Sequence, residues 1–184
     1  MSAYFYVLSS LPMLTMDADV PITYTQFLDS CRNFVSVEDM DVLMSIDKNA
    51  RYTGSVDHPF LTRYNSFTDD LTEELQRIRS SRGKGRTDGD ESRSGTMLHN
   101  QTVLATVKRA VEQENPLEAE KSIMNMLWNE IEYLKDGHSY DEVSIYAYAL
   151  ELRILERKAV FVPIEGNAEF KRLFTNLQSS IKSL

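Results

Sequence analysis

Residues 139–161, which read SYDEVSIYAYALELRILERKAVF, decide the fold. This apolar-rich stretch contains neither glycine nor proline, so nothing in it interrupts a helix. Ser139 is suited to the N-cap position, and Asp141 and Glu142 then lie in the first turn, where carboxylates interact favourably with the helix dipole. The sequence therefore predicts a long helix here.

Apolar residues occupy two faces of this predicted helix. At about 100° per residue, one face carries Val143, Ala147, Leu150, Ile154 and Phe161, and the other carries Ile145, Tyr148, Leu152, Leu155 and Ala159. A helix on the surface of a protein needs only one apolar stripe. Two stripes predict neighbours on both sides, so we expect this helix at the centre of a bundle.

Arg153 and Arg157 share one edge between the two faces, and two interpretations remain open. Their aliphatic stems can cover apolar surface while their charged heads reach water. Alternatively, the edge contacts an acidic partner. Charge along the chain is compatible with both, because residues 116–142 carry a net charge of −5 and residues 153–184 a net charge of +3. These segments either pair with each other or form docking surfaces of opposite sign.

The composition is that of a globular domain. The chain has 184 residues, of which 42% are hydrophobic and 26% charged, and its net charge is −8. This charge argues against general nucleic-acid binding, which needs clustered lysine and arginine, and against binding to an anionic membrane surface. The single cysteine, Cys31, cannot form an internal disulfide, fits a reducing compartment and has the apolar neighbours of a buried thiol.

No targeting segment is predicted. The apolar N-terminal run has no lysine or arginine before Arg32 and contains Pro12, unlike a secretory signal. No run approaches the ~18 apolar residues of a membrane span. We therefore expect a cytoplasmic protein without direct membrane insertion.

The fold class predicted for the whole chain is all-α, an irregular bundle of about six to seven helices. Residues 4–8 fit either a short buried strand or the first turns of a helix. The remaining helices are predicted over residues 21–34, 36–44, 59–79, 96–114, 116–135 and 167–184, with a loop at 47–57. Phe34, Val37 and Met44 belong to the predicted inward stripes.

Residues 80–95, SSRGKGRTDGDESRSG, contain no aliphatic or aromatic side chain and predict a flexible loop. We expect one helical domain over residues 1–184, with possible subdomains 1–79 and 96–184 on either side of this loop. The glycines around Lys84 do not match GxxxxGK[ST], so no phosphate loop is predicted.

Catalytic and metal-binding motifs are not apparent in the sequence. The histidines His58, His99 and His138 are far apart, and no HxxxH or CxxC pattern accompanies them. No GxSxG or GxGxxG motif is present. We therefore predict a protein that is not an enzyme and that uses no cofactor or metal.

The N-terminal run YFYVLSSLPML at residues 4–14, followed by PITY at 21–24 and FLDSC at 27–31, resembles the opening of an uncharacterised bacterial family. The shared pattern is YY-x-L-x-x-SLP-x-L followed by P-I-x-x-x-x-F-L. Genes of this family sit among those of V/A-type rotary ATPases. The resemblance implies a non-catalytic subunit or assembly factor of such an ATPase, and it brings no established activity with it.

The segment ELRILERK at residues 151–158 is similar to the E-x-x-x-L-R-x-I-x-R-x-K helices of the central-stalk connector of these ATPases, an all-helical protein that joins the rotor shaft to the membrane ring. The similarity implies partner contacts at Arg153, Arg157 and Lys158, and V/A-type ATPase subunits as partners. The alternative is a helical binding or regulatory module with an unrelated cytoplasmic partner. The sequence leaves the oligomeric state open.

Overall fold

A computed structural model describes residues 3–83, 105, 107–109 and 115–161 of the chain. The helices with described bounds are α1 (Ala3–Ser10), α2 (Tyr24–Cys31), α3 (Val37–Met44), α4 (Pro59–Gly83), α5 (Pro116–Leu134) and α6 (Glu142–Val160). Residues 105 and 107–109 are also helical. Within the described residues, β structure is limited to one isolated bridge between Ile46 and Tyr52. The predicted all-α class is confirmed.

Helix α6 is the centre of the fold, as predicted. α1, α2, α3 and α5 all pack against it, and α4 packs against α5. Its buried residues are Val143, Ile145, Tyr146, Ala147, Tyr148, Ala149, Leu150, Glu151, Leu152, Ile154 and Leu155. Both predicted apolar faces are therefore covered, except at the last turn, where Ala159 and Phe161 are exposed.

The start of α6 differs from the prediction. The N-cap is Asp141, whose Oδ1 accepts a hydrogen bond from the Ser144 backbone N–H at 2.9 Å, and Ser139 lies outside the helix. Tyr140 has a φ of +59°, in the left-handed region, so a right-handed helix cannot run through it from Ser139. The helix therefore begins only after Tyr140.

Helices α5 and α6 form an antiparallel pair. The N-cap Asn115 accepts a hydrogen bond from the Leu117 N–H at 3.0 Å, and Pro116 occupies the first turn, as predicted. Gly137, with a φ of +80°, lies in the reversal after α5. Early α5 meets late α6 through the Glu120–Arg157 ion pair, so the predicted internal pairing of the acidic and basic segments is present.

The N-terminal helices follow their predicted capping signals. Residues 4–8 lie in α1, which resolves the choice between helix and strand. Thr23 and Gln26 form the predicted capping box at the start of α2. Ser36 caps α3, and its hydroxyl accepts a hydrogen bond from the Asp39 N–H at 3.1 Å. α2 ends at Cys31, earlier than predicted.

The predicted inward stripe of α3 is wrong at its two ends. Val37 is 79% exposed and Met44 is 58% exposed, while Val42 is buried instead. The buried residues of α3 are Asp39, Val42 and Leu43, and Asp39 accepts a hydrogen bond from Tyr146 of α6. Phe34, just after α2, is also exposed.

The loop over residues 47–57 is confirmed, and α4 carries its predicted stripe of Phe60, Tyr64, Phe67 and Leu71 into the core. α4 continues through Gly83, so the first residues of the predicted loop 80–95 are helical. The rest of that loop, most of the predicted helix 96–114 and the predicted helix 167–184 lie outside the described residues.

Buried residues from both sides of residues 84–104 belong to one hydrophobic cluster, which includes Leu61 of α4 and Trp128 of α5. The division into subdomains stays a prediction. None of the described helices has the length and apolar character required to cross a membrane.

Candidate functional site

Three basic residues of α6 are predicted to bind a partner: Arg153 and Arg157 on one edge of the helix, and Lys158. We call them together the basic edge, and all three make contacts within the chain. The Arg153 guanidinium lies over the ring of Tyr24, with 3.4 Å between Cζ and the ring centroid. Its Nη1 also donates to Glu156 Oε2 at 2.9 Å. Burial raises the pKa of Tyr24, although the neighbouring Arg153 opposes that rise.

The other two members of the basic edge hold neighbouring segments. Arg157 pairs with Glu120 of α5. Lys158 Nζ donates to the backbone oxygen of Met16 at 2.5 Å, and a second oxygen, that of Ala18, lies at 3.4 Å. The basic edge therefore connects late α6 to α5 and to the segment between α1 and α2. Its predicted role in partner binding stays a prediction.

A different surface lies at the other end of α6. Three aromatic side chains, Phe5 and Tyr6 of α1 and Tyr140 before α6, form what we call the aromatic cluster. The ring centroids of Phe5 and Tyr140 are 4.8 Å apart, and those of Phe5 and Tyr6 are 5.9 Å apart. Their exposed fractions are 37% for Phe5, 54% for Tyr6 and 47% for Tyr140. Apolar rings are thus grouped at the surface.

A cleft of about 270 Å³ adjoins the aromatic cluster and shares Tyr140 with it. Its lining residues are Leu8, Lys135, His138, Ser139, Tyr140, Ser144, Tyr148 and Glu151. These residues come from α1, from the α5–α6 connection and from the first half of α6. The cleft and the aromatic cluster therefore make one continuous surface.

The floor of the cleft contains a buried carboxyl group on the central helix. Glu151 is 3% exposed, and its Oε1 accepts a hydrogen bond from Lys135 Nζ at 2.6 Å. Lys135 also donates to Glu132 Oε1 at 2.8 Å. Burial raises the pKa of Glu151 to about 7 despite the Lys135 ammonium, and the nearby Glu132 adds to the rise.

The rim of the cleft is organised around Asp141. His138 Nδ1 lies 2.6 Å from its Oδ2, and Ser144 Oγ donates to its Oδ1 at 2.8 Å. Partial burial would raise the pKa of Asp141, but the hydrogen bonds from His138 and Ser144 hold it below its usual value. The carboxylate lies between serine and histidine, so Ser144 bonds to Asp141 and not to the histidine base that a nucleophilic triad requires.

Asp39 of α3 anchors α1 behind this surface. Its carboxylate accepts hydrogen bonds from Tyr4 Oη at 2.5 Å, Tyr146 Oη at 2.5 Å and Ser36 Oγ at 2.6 Å. Burial would raise the pKa of Asp39, but these hydroxyl donors together lower it below its usual value. Helices α1, α3 and α6 thus meet at a single ionised group.

Sequence reasoning missed both Asp39 and the cleft. Asp39 is a normal first-turn acid of α3, and its partner Tyr146 is 107 residues away along the chain. The signal for Glu151 was available, because a lone carboxyl group lies between apolar residues on both sides of the helix. Only the fold places Lys135 beside it.

Metal and thiol chemistry have no support in the part of the chain that the structure describes. No group of three or more histidine, cysteine or acidic side chains among these residues is placed to hold a metal ion. Cys31 is buried as predicted, and burial raises the pKa of its thiol to about 12. Such a thiol is protonated at neutral pH and is a poor nucleophile.

Comparisons with protein-family models, with curated proteins and with solved structures found no match. The fold and the site define an all-α protein with an exposed aromatic cluster beside a cleft that contains a buried carboxyl group. The resemblance of residues 4–31 to an ATPase-associated family stays a prediction, and the site is interpreted from its own geometry.

Proposed function

We propose that this protein is a non-catalytic helical subunit or assembly factor of a V/A-type ATPase, and that it binds its partner through the aromatic cluster. The observation that carries the binding role is the grouping of Phe5, Tyr6 and Tyr140 at the surface. Aromatic side chains are enriched at the centres of protein interfaces, because they bury a large area with few rotatable bonds. The protein would lie in the cytoplasm, peripheral to the membrane through the complex.

The non-catalytic part of the proposal rests on the state of the polar groups in the cleft. Glu151 is bonded to Lys135, and Asp141 is bonded to both His138 and Ser144. Ser144 bonds to Asp141 and not to His138, so a serine–histidine pair is not assembled at the rim of the cleft. The contacts of these groups are those expected of hydrogen bonds that hold the α5–α6 connection together.

The choice of an ATPase as partner rests on the resemblance of residues 4–31, and the connector role rests on the similarity of residues 151–158 to the central-stalk helices. The second candidate is a helical binding module with an unrelated cytoplasmic partner. The aromatic cluster supports both candidates equally, because an exposed group of rings does not identify the partner. It also lies away from the basic edge, which is the region that the central-stalk similarity involves.

Affinity capture of the tagged chain at its native expression level tests the proposal. The variant that carries both Phe5→Ser and Tyr6→Ser removes the α1 part of the aromatic cluster. The control carries Val37→Ser and Met44→Ser on the exposed face of α3, which removes two apolar side chains that are more exposed than Phe5 and Tyr6 and lie elsewhere. We expect ATPase subunits to be captured by the unmodified chain and by the control, and to be lost with the aromatic variant.

Each other outcome has a definite meaning. Capture without any ATPase subunit would overturn the ATPase assignment. Specific capture of an unrelated protein, lost with the Phe5 and Tyr6 variant, would establish the second candidate. Loss of the partner with the α3 control but not with the aromatic variant would overturn the assignment of the binding surface.

A further inference from the structure

Carboxylates flank the aromatic cluster and the cleft along the chain. Glu132, Asp136 and Glu142 are exposed, and Asp141 is half-buried at the rim. Lys135, the lysine that lines the cleft, already lies between two carboxyl groups. The residues next to the cleft therefore carry more acidic than basic side chains.

The floor of the cleft does not oppose this sign. One ammonium, that of Lys135, is shared by Glu132 and Glu151, and because the pKa of Glu151 is about 7, the net charge of this group of three lies between zero and −1 at neutral pH. An anionic ligand would be repelled, whereas a cation would be attracted.

The size of the cleft limits what it can hold. Its volume of about 270 Å³ lies below the ~300–1,000 Å³ that is usual for small-molecule and cofactor sites. One long side chain fits such a space. The walls are compatible with a long side chain, because Leu8, Tyr140 and Tyr148 supply apolar surface for its aliphatic stem.

We infer that this surface docks a basic, apolar segment of a partner protein, with one arginine or lysine side chain entering the cleft and an adjacent apolar side chain packing on the aromatic cluster. This inference rests on the proposed binding function and specifies the chemistry of the partner. The carboxylates next to the cleft select the basic residue, and the exposed rings of Phe5, Tyr6 and Tyr140 select its apolar neighbour.

Selection of a displayed random peptide library against the immobilised full chain tests the inference without knowledge of the natural partner. We expect the selected peptides to contain arginine or lysine beside leucine or an aromatic residue, and to bind more weakly as salt is added. Selection of acidic or uncharged peptides would overturn the inference, and so would the failure to select any peptide.

Variants then locate the binding surface. Tyr140→Asn removes the ring while keeping a residue that tolerates the left-handed backbone at this position, and Glu132→Gln removes one charge of the cleft. We expect each substitution to lower the affinity for the selected peptide about tenfold, which corresponds to ~1.4 kcal/mol of binding free energy. Glu38→Gln, which makes the same charge change at an exposed position on α3, is the matched control and should bind normally.

Circular dichroism and thermal melting of each variant separate a loss of binding from a loss of folding. Equal affinity of the Tyr140 variant and the unmodified chain would overturn the inference. Affinity capture distinguishes this failure from a failure of the proposed function, because a partner recovered through the aromatic cluster but without a basic docking segment leaves the binding role intact.

Discussion

The two ends of α6 use charge in opposite ways. At its C-terminal end, Arg153, Arg157 and Lys158 all contact neighbouring segments of the same chain, and Arg153 is packed against an aromatic ring. At its N-terminal end, the rings of Phe5 and Tyr140 remain at the surface beside a cleft that is flanked by exposed carboxylates.

The difference shows why a charged pattern is a poor guide to a binding surface in this protein. The acidic helix α5 and the segment between α1 and α2 supply partners for the basic edge, so the charges are satisfied internally. The aromatic cluster has no such cover from the described residues, although its sequence is as apolar as that of a core helix. What remains exposed after packing is the more informative property.

The largest effect on stability is expected at Asp39, because this residue anchors α1 and therefore the aromatic cluster. We expect Asp39→Ala to lower the free energy of unfolding by about 3 kcal/mol, since it removes a charged acceptor from two tyrosine hydroxyls, one of them buried. Urea denaturation at neutral pH measures this change. Glu38→Ala, at the preceding position and exposed, is the control and should change it by less than ~0.5 kcal/mol.

The lowered pKa of Asp39 also predicts that the stability of the protein decreases in acid. The pKa of Asp39 in the folded chain is lowered, so its contribution to stability is present above the ordinary aspartate pKa of ~3.9 and is lost as the pH falls through the folded value. Asp39→Ala should therefore lose less stability between neutral and acid pH than the unmodified chain. Parallel pH profiles for the two proteins would contradict the anchoring role.

Glu151 gives the second test, which concerns the cleft. Its folded pKa of about 7 is above the ordinary value, so its own contribution to stability is fully present below the unfolded pKa of ~4.3 and is lost as the pH rises through 7. The glutamine of Glu151→Gln cannot ionise. Between pH ~5 and ~8, the unfolding free energy of this variant should therefore decrease by about 2 kcal/mol less than that of the unmodified chain. Urea denaturation across this range measures it.

Glu118→Gln provides the control for the Glu151 variant, because Glu118 is an exposed acid on α5 that pairs with Lys121 only at the surface. Its pH profile should follow that of the unmodified chain. If Glu151→Gln also followed that profile, the carboxyl group would be ionised through the whole range, and the cleft floor would be more negative than we describe.

The smallest effect on stability is expected at Arg153. A variant at this position also tests whether the partner binds the basic edge or the aromatic cluster. We expect Arg153→Ala to lower the unfolding free energy by about 1–2 kcal/mol, because it removes the contact with Tyr24 and the hydrogen bond to Glu156. Capture of the partner should be unchanged. Arg32→Ala, which removes an exposed i,i+3 pair with Asp29, should change stability by less than ~0.5 kcal/mol.

Loss of the partner from a folded Arg153→Ala protein would reverse the comparison. The predicted binding role of the basic edge would then be correct, and the aromatic cluster would lose its place as the main contact surface.

Much of the fold could be predicted because its signals are local. The capping box at Thr23 and Gln26, the Asn115–Pro116 start of α5 and the two apolar faces of α6 each depend on residues within a few turns of one another. The errors at Val37 and Met44 arose because a short helix has several possible apolar faces, and the face that is buried here, with Asp39, Val42 and Leu43, is fixed by contacts with distant segments such as Tyr146.

The candidate site could be predicted only in fragments. Apolar residues of the N-terminal run were visible, but periodicity over residues 4–8 left helix and strand open, so the exposed face of α1 could not be assigned. The cleft depends on Lys135 and Glu151 meeting across the α5–α6 pair, and on Tyr140 adopting a left-handed backbone next to Phe5.

The sequence by itself determined the all-α class, the central position of α6 and the burial of Cys31, because hydrophobic periodicity and helix caps act over short distances along the chain. The tertiary structure alone decided that the basic edge is used internally and that the rings of Phe5, Tyr6 and Tyr140 stay at the surface. Exposure and ion pairing depend on which distant segments pack together, and that information is not contained in any local pattern.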